Sequence, residues 1–286
     1  MKITPVSDCL NMKGVAGMNF HSDEWINNKM WEHFNESREH FQTDRIVCLI
    51  LQGSQNYGLD TLTSDVDTKL IVCPSFKDIA MNKKPVSTTH VRENDEHIDF
   101  KDIRLYMQTF RKQNLNFLEI LFSKYAIVGQ PYYKEWNRLV EAREQIARFN
   151  IYRGVKSMKG IAMEKYHALK HPYPSKLEIL AKYHYDPKQL HHLMRVEEYL
   201  ARYIDGEPYE DCLRPRNAEM LIKVKDGCYD LEQAELIAER CITNITNMAE
   251  NAYKKFPNEE NPEVNELLDD VQYEIMKIAV KKEIGD

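Results

Sequence analysis

The chain lacks any apolar run approaching the ~20 residues of a membrane-spanning helix. Its opening residues, Met1 to Asp8, carry no apolar stretch of the kind that marks a secretory leader, so none is expected. Six cysteines (9, 48, 73, 212, 228 and 241) include no Cys-x-x-Cys pair. That spacing argues against a cysteine-based zinc site and fits a reducing compartment, and Cys48 and Cys73 read as small core residues within apolar runs. Neither an internal repeat nor a low-complexity tract is found. An excess of positive charge is also missing: the net charge of −6 argues against a surface coated for nucleic acid. What remains is 286 residues, 43% hydrophobic and 29% charged, the composition of a globular protein able to bury a real core. The length suits two domains of ordinary size or one large one, and the expected location is the cytoplasm, with no membrane partner.

Periodicity divides the chain. Ser22 reads as an N-cap with Asp23 and Glu24 in the first turn, and Ile26, Met30, Phe34 and Phe41 recur at helical spacing, predicting a helix over 22–41. Strands are predicted at 45–52 and 65–73, and a hairpin over 86–92 and 96–101. A helix from Asp102 follows, and then a second, Phe117 to Ser123, capped by Asn116. Beyond about residue 135 only helices are expected, at 131–148, 151–169, 175–184, 187–204, 231–255 and 261–282. The fold class is therefore α+β: a small mixed-sheet domain over 1–130, followed by an all-helical domain over 131–286.

The densest chemistry lies between Gly53 and Asp67, directly after the apolar run 46–51. A buried strand ends in Gly53-Ser54, a short turn exposes backbone N–H groups, and Asp65 and Asp67 open the next strand. A period of two puts both carboxylates on one face. Hard oxygen donors of this type suit Mg²⁺, which takes one or two carboxylates together with substrate phosphates. In Glu96–Lys101, Ile98 and Phe100 fall on one face while His97, Asp99 and Lys101 fall on the other, so Asp99 points as a third ligand would. Lys69 shares the face of Asp65 and Asp67 and reads as a surface lysine within reach of a phosphate.

Gly53-Ser54, Gly58 and Ser64-Asp65-x-Asp67 in this order resemble the signature of the DNA-polymerase-β-type nucleotidyltransferases. The resemblance implies that Gly53, Ser54 and Ser64 hold the nucleotide and that Asp65, Asp67 and Asp99 are both the catalytic residues and the ligands of two Mg²⁺ ions, with Mn²⁺ an alternative. An NTP would be the substrate. In the second half, Asp186 can cap a helix that begins at Pro187, placing Lys188, His192 and Arg195 in one row at i, i+4 and i+7. Three cations in a row can grip phosphate oxygens. This row, together with Asn114-Leu-Asn-Phe-Leu-Glu119, resembles a branch of predicted bacterial and phage nucleotidyltransferases, some of them associated with RNA repair. Leu115 stands where that branch has proline.

The implied reaction moves an NMP from an NTP to an acceptor hydroxyl, with an RNA 3′ end first among acceptors, a protein side chain (adenylylation) second and a small alcohol third. Residues 134–170 hold nine Lys/Arg against four Glu and could guide a polyanion, whereas the last thirty residues hold nine acids and three lysines. A non-catalytic nucleotide- or partner-binding protein on the same fold, and a phosphohydrolase built on the Asp-x-Asp, are the competing classes.

Overall fold

The structure of the protein, a computed structural model, describes residues 21–285. The segment read for a leader, and Cys9, lie outside them. The described chain is an α+β fold, with a five-stranded mixed sheet in the N-terminal half followed by a helical region. It separates into two compact units.

The first unit comprises residues 21–111, 116–149 and 261–285. Helix α1, Asp23–His40, starts where the Ser22 hydroxyl accepts the Trp25 N–H at 3.1 Å. Its stripe of Ile26, Met30 and Phe34 covers one face of the sheet. Strand β1, Ile46–Gln52, is apolar from Ile46 to Leu51 and buried throughout that run, because both of its faces are covered. Strand β2, Asp67–Val72, is antiparallel to it. After the short α2, Phe76–Ala80, come β3, Ser87–Val91, and β4, His97–Asp102. Strands β3 and β4 form the expected hairpin, and β4 lies parallel to β2 with Lys69 opposite Asp99. Leu49, Leu51, Leu70, Val72, Ile98 and Phe100 make up the core under α1.

Helix α3, Ile103–Arg111, buries Ile103, Tyr106, Met107 and Phe110. Helix α4, Leu115–Leu118, includes Asn116 in its body and passes into a 3-10 turn, so Asn116 does not cap a helix from Phe117. Strand β5, Ala126–Val128, adds to β1 and completes the order β3-β4-β2-β1-β5. Its three residues are too few for an alternation to show in sequence. Helices α5, Tyr133–Glu141, and α6, Arg143–Ala147, replace the single helix expected over 131–148.

The second unit, residues 112–115 and 150–260, contains no strand among its described residues. Helix α7, Ile151–Ala168, is capped by Asn150. It is followed by α8, Leu177–Tyr183, α9, Pro187–Ile204, α10, Tyr209–Leu213, α11, Ala218–Lys225, and α12, Leu231–Lys255. The last helix, α13, Pro262–Ile284, belongs to the first unit. There Arg111 reaches Asn265 and Asp269, and Arg138 reaches Asp270. A single boundary at 130/131 therefore does not describe the two units: residues 131–149 and 261–285 fold with the sheet.

Candidate functional site

The loop after β1 is held from several sides. Gly53 has φ +107°, a conformation closed to most side chains, and it turns the chain out of the strand. The Asn56 amide donates to the Leu51 carbonyl at 2.9 Å and accepts the Ser123 hydroxyl at 2.8 Å. Gln55 donates to the Asp65 carbonyl at 2.7 Å, binding the two ends of the motif together. The Leu59 N–H returns to the Ser54 carbonyl at 3.1 Å, and the buried Tyr57 hydroxyl donates to the buried Glu119 carboxylate. Gly53 and Ser54 themselves stay partly exposed at the mouth of this loop. The Ser64 hydroxyl accepts the Thr61 N–H at 2.9 Å and so closes the 61–64 turn.

Asp65 lies before β2 rather than in it, because that strand begins at Asp67. Alternation nonetheless holds across the pair: Val66 is buried in the core while Asp65 is exposed and Asp67 half-buried. Asp67 Oδ1 accepts the His97 backbone N–H at 2.9 Å and lies 3.1 Å from His97 Nδ1. Two residues further along the parallel pair, Asp99 Oδ2 accepts from Lys69 Nζ at 2.9 Å, and its other oxygen accepts the Thr89 hydroxyl. Burial works to raise the Asp99 pKa, but the Lys69 charge and the hydrogen bonds from Thr89 and Lys69 outweigh it and hold the carboxyl below its ordinary range.

Lys69 is not the surface lysine its position in the strand suggested. Only 2% of its side chain is exposed, and its ammonium sits 4.3 Å from the Phe117 ring centroid as well as against Asp99. Lys101 approaches the same ring at 3.9 Å. The sequence placed Lys69 on this face but did not show its burial against Asp99, and Thr89, Phe117 and Glu119 were missed as parts of this arrangement, since strand pairing and the 62-residue reach from Tyr57 to Glu119 are not local signals.

A divalent cation suits the donor set here in chemistry: the acids are hard oxygen donors, and the Lys69 ammonium already stands as a cation against one of them. Among the described residues, however, no three His, Cys, Asp or Glu side chains converge into a ready-made cage. Asp67 and Asp99 lie on the same face of neighbouring strands, each held by its own partners.

Lys188, His192 and Arg195 lie on α9 in the second unit, where the helix begins at Pro187 with Asp186 as its cap. Lys188 is exposed, and His192 and Arg195 are half-buried. His191 faces inward, its Nδ1 2.7 Å from the Leu221 carbonyl. Burial pushes its pKa down to about 4, against the raising effect of that hydrogen bond. His192 is pushed down by burial and then by neighbouring cations. Five of the nine cations of the basic stretch, Lys134, Arg138, Arg153, Lys165 and Lys170, are in ion pairs with acids. No helix among the described residues is long and apolar enough to cross a membrane.

No protein-family model matches the chain, and no curated protein is similar to it at a significant level.

Proposed function

We propose that the chain is a nucleotidyltransferase that moves an NMP from an NTP to an acceptor hydroxyl. The observation that supports it is the juxtaposition of a constrained Gly53-Ser54 loop with Asp67 and Asp99 on one face of paired parallel strands. In this reading, Gly53 and Ser54 hold the terminal phosphates through backbone N–H groups and the Ser54 hydroxyl. Asp65, Asp67 and Asp99 would hold Mg²⁺ or Mn²⁺, and the bound cation supplies Lewis-acid stabilisation of charge at the α-phosphate. The acceptor oxygen forms a bond to the α-phosphorus, the bond to the bridging oxygen breaks, and pyrophosphate leaves with that electron pair. The acceptor's proton passes to Asp99 or to solvent. On α9 of the second unit, Lys188 and Arg195 are candidate cations for a phosphate-bearing ligand, and His192, its pKa pushed well below the ordinary value, would meet one as a neutral donor.

An RNA 3′ end is the acceptor favoured by the resemblance. Ion pairs at Arg138, Arg153 and Lys170 take part of the cationic support for it from residues 134–170, and a protein hydroxyl stands second. The test is label transfer from each α-³²P-NTP, with Mg²⁺ or Mn²⁺, into an extract separated into RNA, protein and small-solute fractions. Label that requires Asp67 and appears in one fraction supports transfer and names the acceptor class. NTP binding without label in any fraction favours a non-catalytic nucleotide-binding protein.

A further inference from the structure

The buried pair Lys69–Asp99 has a consequence of its own. Lysine is among the residues least often buried, and one without a counter-charge is costly. Here the ammonium has two hosts, the Asp99 carboxylate at 2.9 Å and the Phe117 ring at 4.3 Å. Each Asp99 oxygen already takes one donor, Lys69 on one and the Thr89 hydroxyl on the other, so a bound cation would have to share an oxygen with one of them. A divalent cation bound to Asp99 would lie within a few ångström of a buried ammonium, and like charges at that range repel strongly where water is scarce. Both cannot hold the carboxylate in its present arrangement.

We propose that Lys69 is a built-in counter-ion of the site, a positioning residue that neutralises Asp99 until a divalent cation takes its place there and leaves the ammonium on the Phe117 ring it already contacts. The inference rests on the metal-site reading given above. Phe117 makes the exchange feasible: the ammonium keeps a cation–π host, one it shares with Lys101 at 3.9 Å, instead of being stranded in the core. The exchange lowers cation affinity by the free energy of the broken pair, so the carboxylates do not need a cation to be stable in its absence. Displacement also frees one ammonium beside the acids, where a phosphate oxygen of the nucleotide can take it up.

The test is Mn²⁺ binding to the nucleotide-free full chain, followed by the electron paramagnetic resonance signal of free Mn²⁺. Lys69→Met should bind Mn²⁺ at least about tenfold more tightly than wild type, the scale of one lost charge-assisted hydrogen bond. Lys69→Arg, whose planar fork grips a carboxylate more firmly, should bind more weakly than wild type. Both differences should vanish in an Asp99→Asn background. A lysine that only supports the fold would weaken binding in both variants, and that result overturns the proposal. Should Lys69→Met fail to fold, Lys69→Gln, which also removes the charge, takes its place: affinity no tighter than wild type overturns the proposal. Mn²⁺ binding that needs Asp99 but ignores Lys69 overturns this inference and leaves the metal site standing. No binding by wild type or Lys69→Met at millimolar Mn²⁺ overturns both.

Discussion

The Tyr57 hydroxyl donates to the Glu119 carboxylate, 62 residues away in sequence, with both side chains almost fully buried. This contact fastens the glycine-bearing loop after β1 to the segment that follows α4. A loop that must present backbone N–H groups to a polyanion gains from being held in one conformation, because less ordering is left for the ligand to impose.

Tyr57→Phe should therefore destabilise the protein by about 1–3 kcal/mol, since it removes a donor from a buried carboxylate. Glu119→Gln should cost less than Tyr57→Phe, because the amide oxygen still accepts the hydroxyl. Urea unfolding of the two variants checks the order. If the loop serves nucleotide binding, Tyr57→Phe should also weaken NTP affinity at temperatures well below its midpoint.

Asp67→Asn should abolish label transfer, with a loss of about 10² or more expected for a group that acts at the charged centre. Its effect on stability should stay within about 1 kcal/mol, because Asp67 is half-exposed and its partner His97 is exposed. Wild-type transfer by a folded Asp67→Asn chain would remove this residue from the site.

Stability should fall as pH drops below about 6.5, the ordinary histidine value, and the fall should continue towards the folded value of His191, about 4. The sign follows from a depressed folded pKa. The unfolded chain takes up protons that the folded chain refuses, so the contribution is present above 6.5 and lost on acidification. His33, buried between Thr68 and Glu96 with its own pKa lowered chiefly by burial, and His192 act in the same direction. His191→Gln keeps a donor for the Leu221 carbonyl and removes the titration. It should flatten the acid limb by up to about 1.4 kcal/mol per pH unit, read from urea midpoints across that range.

Gly154 on α7 faces Tyr203 on α9, and a methyl group at Gly154 would meet the Tyr203 hydroxyl oxygen at 2.7 Å. Gly154→Ala should thus be destabilising by about 1–3 kcal/mol despite alanine's better helix propensity, since both residues are buried and the helices must separate. Gly160, on the same helix with open space around it, is the control. There alanine should stabilise by up to about 1 kcal/mol. Thermal unfolding of the two variants gives opposite signs if the reading of this packing is right.

Where a signal was local, the sequence carried it. The limits of α9 and α12 follow from Asp186-Pro187 and from the Asp230 capping box, in which side-chain oxygens meet N–H groups only a few residues away. The strand–loop–strand course around Gly53 and Asp67 was equally legible, as was the outward face of Asp99. Strand β5 was not, being too short to show a period, and neither were α10 and α11. Tertiary structure alone decided that α13 returns to the sheet-bearing unit, through the reach of Arg111 and Arg138 to Asn265, Asp269 and Asp270. It alone decided that β4 pairs in parallel with β2, and hence that Lys69 meets Asp99 rather than solvent. Alternation tells which face a side chain takes, but its partner depends on register between strands that are distant in sequence.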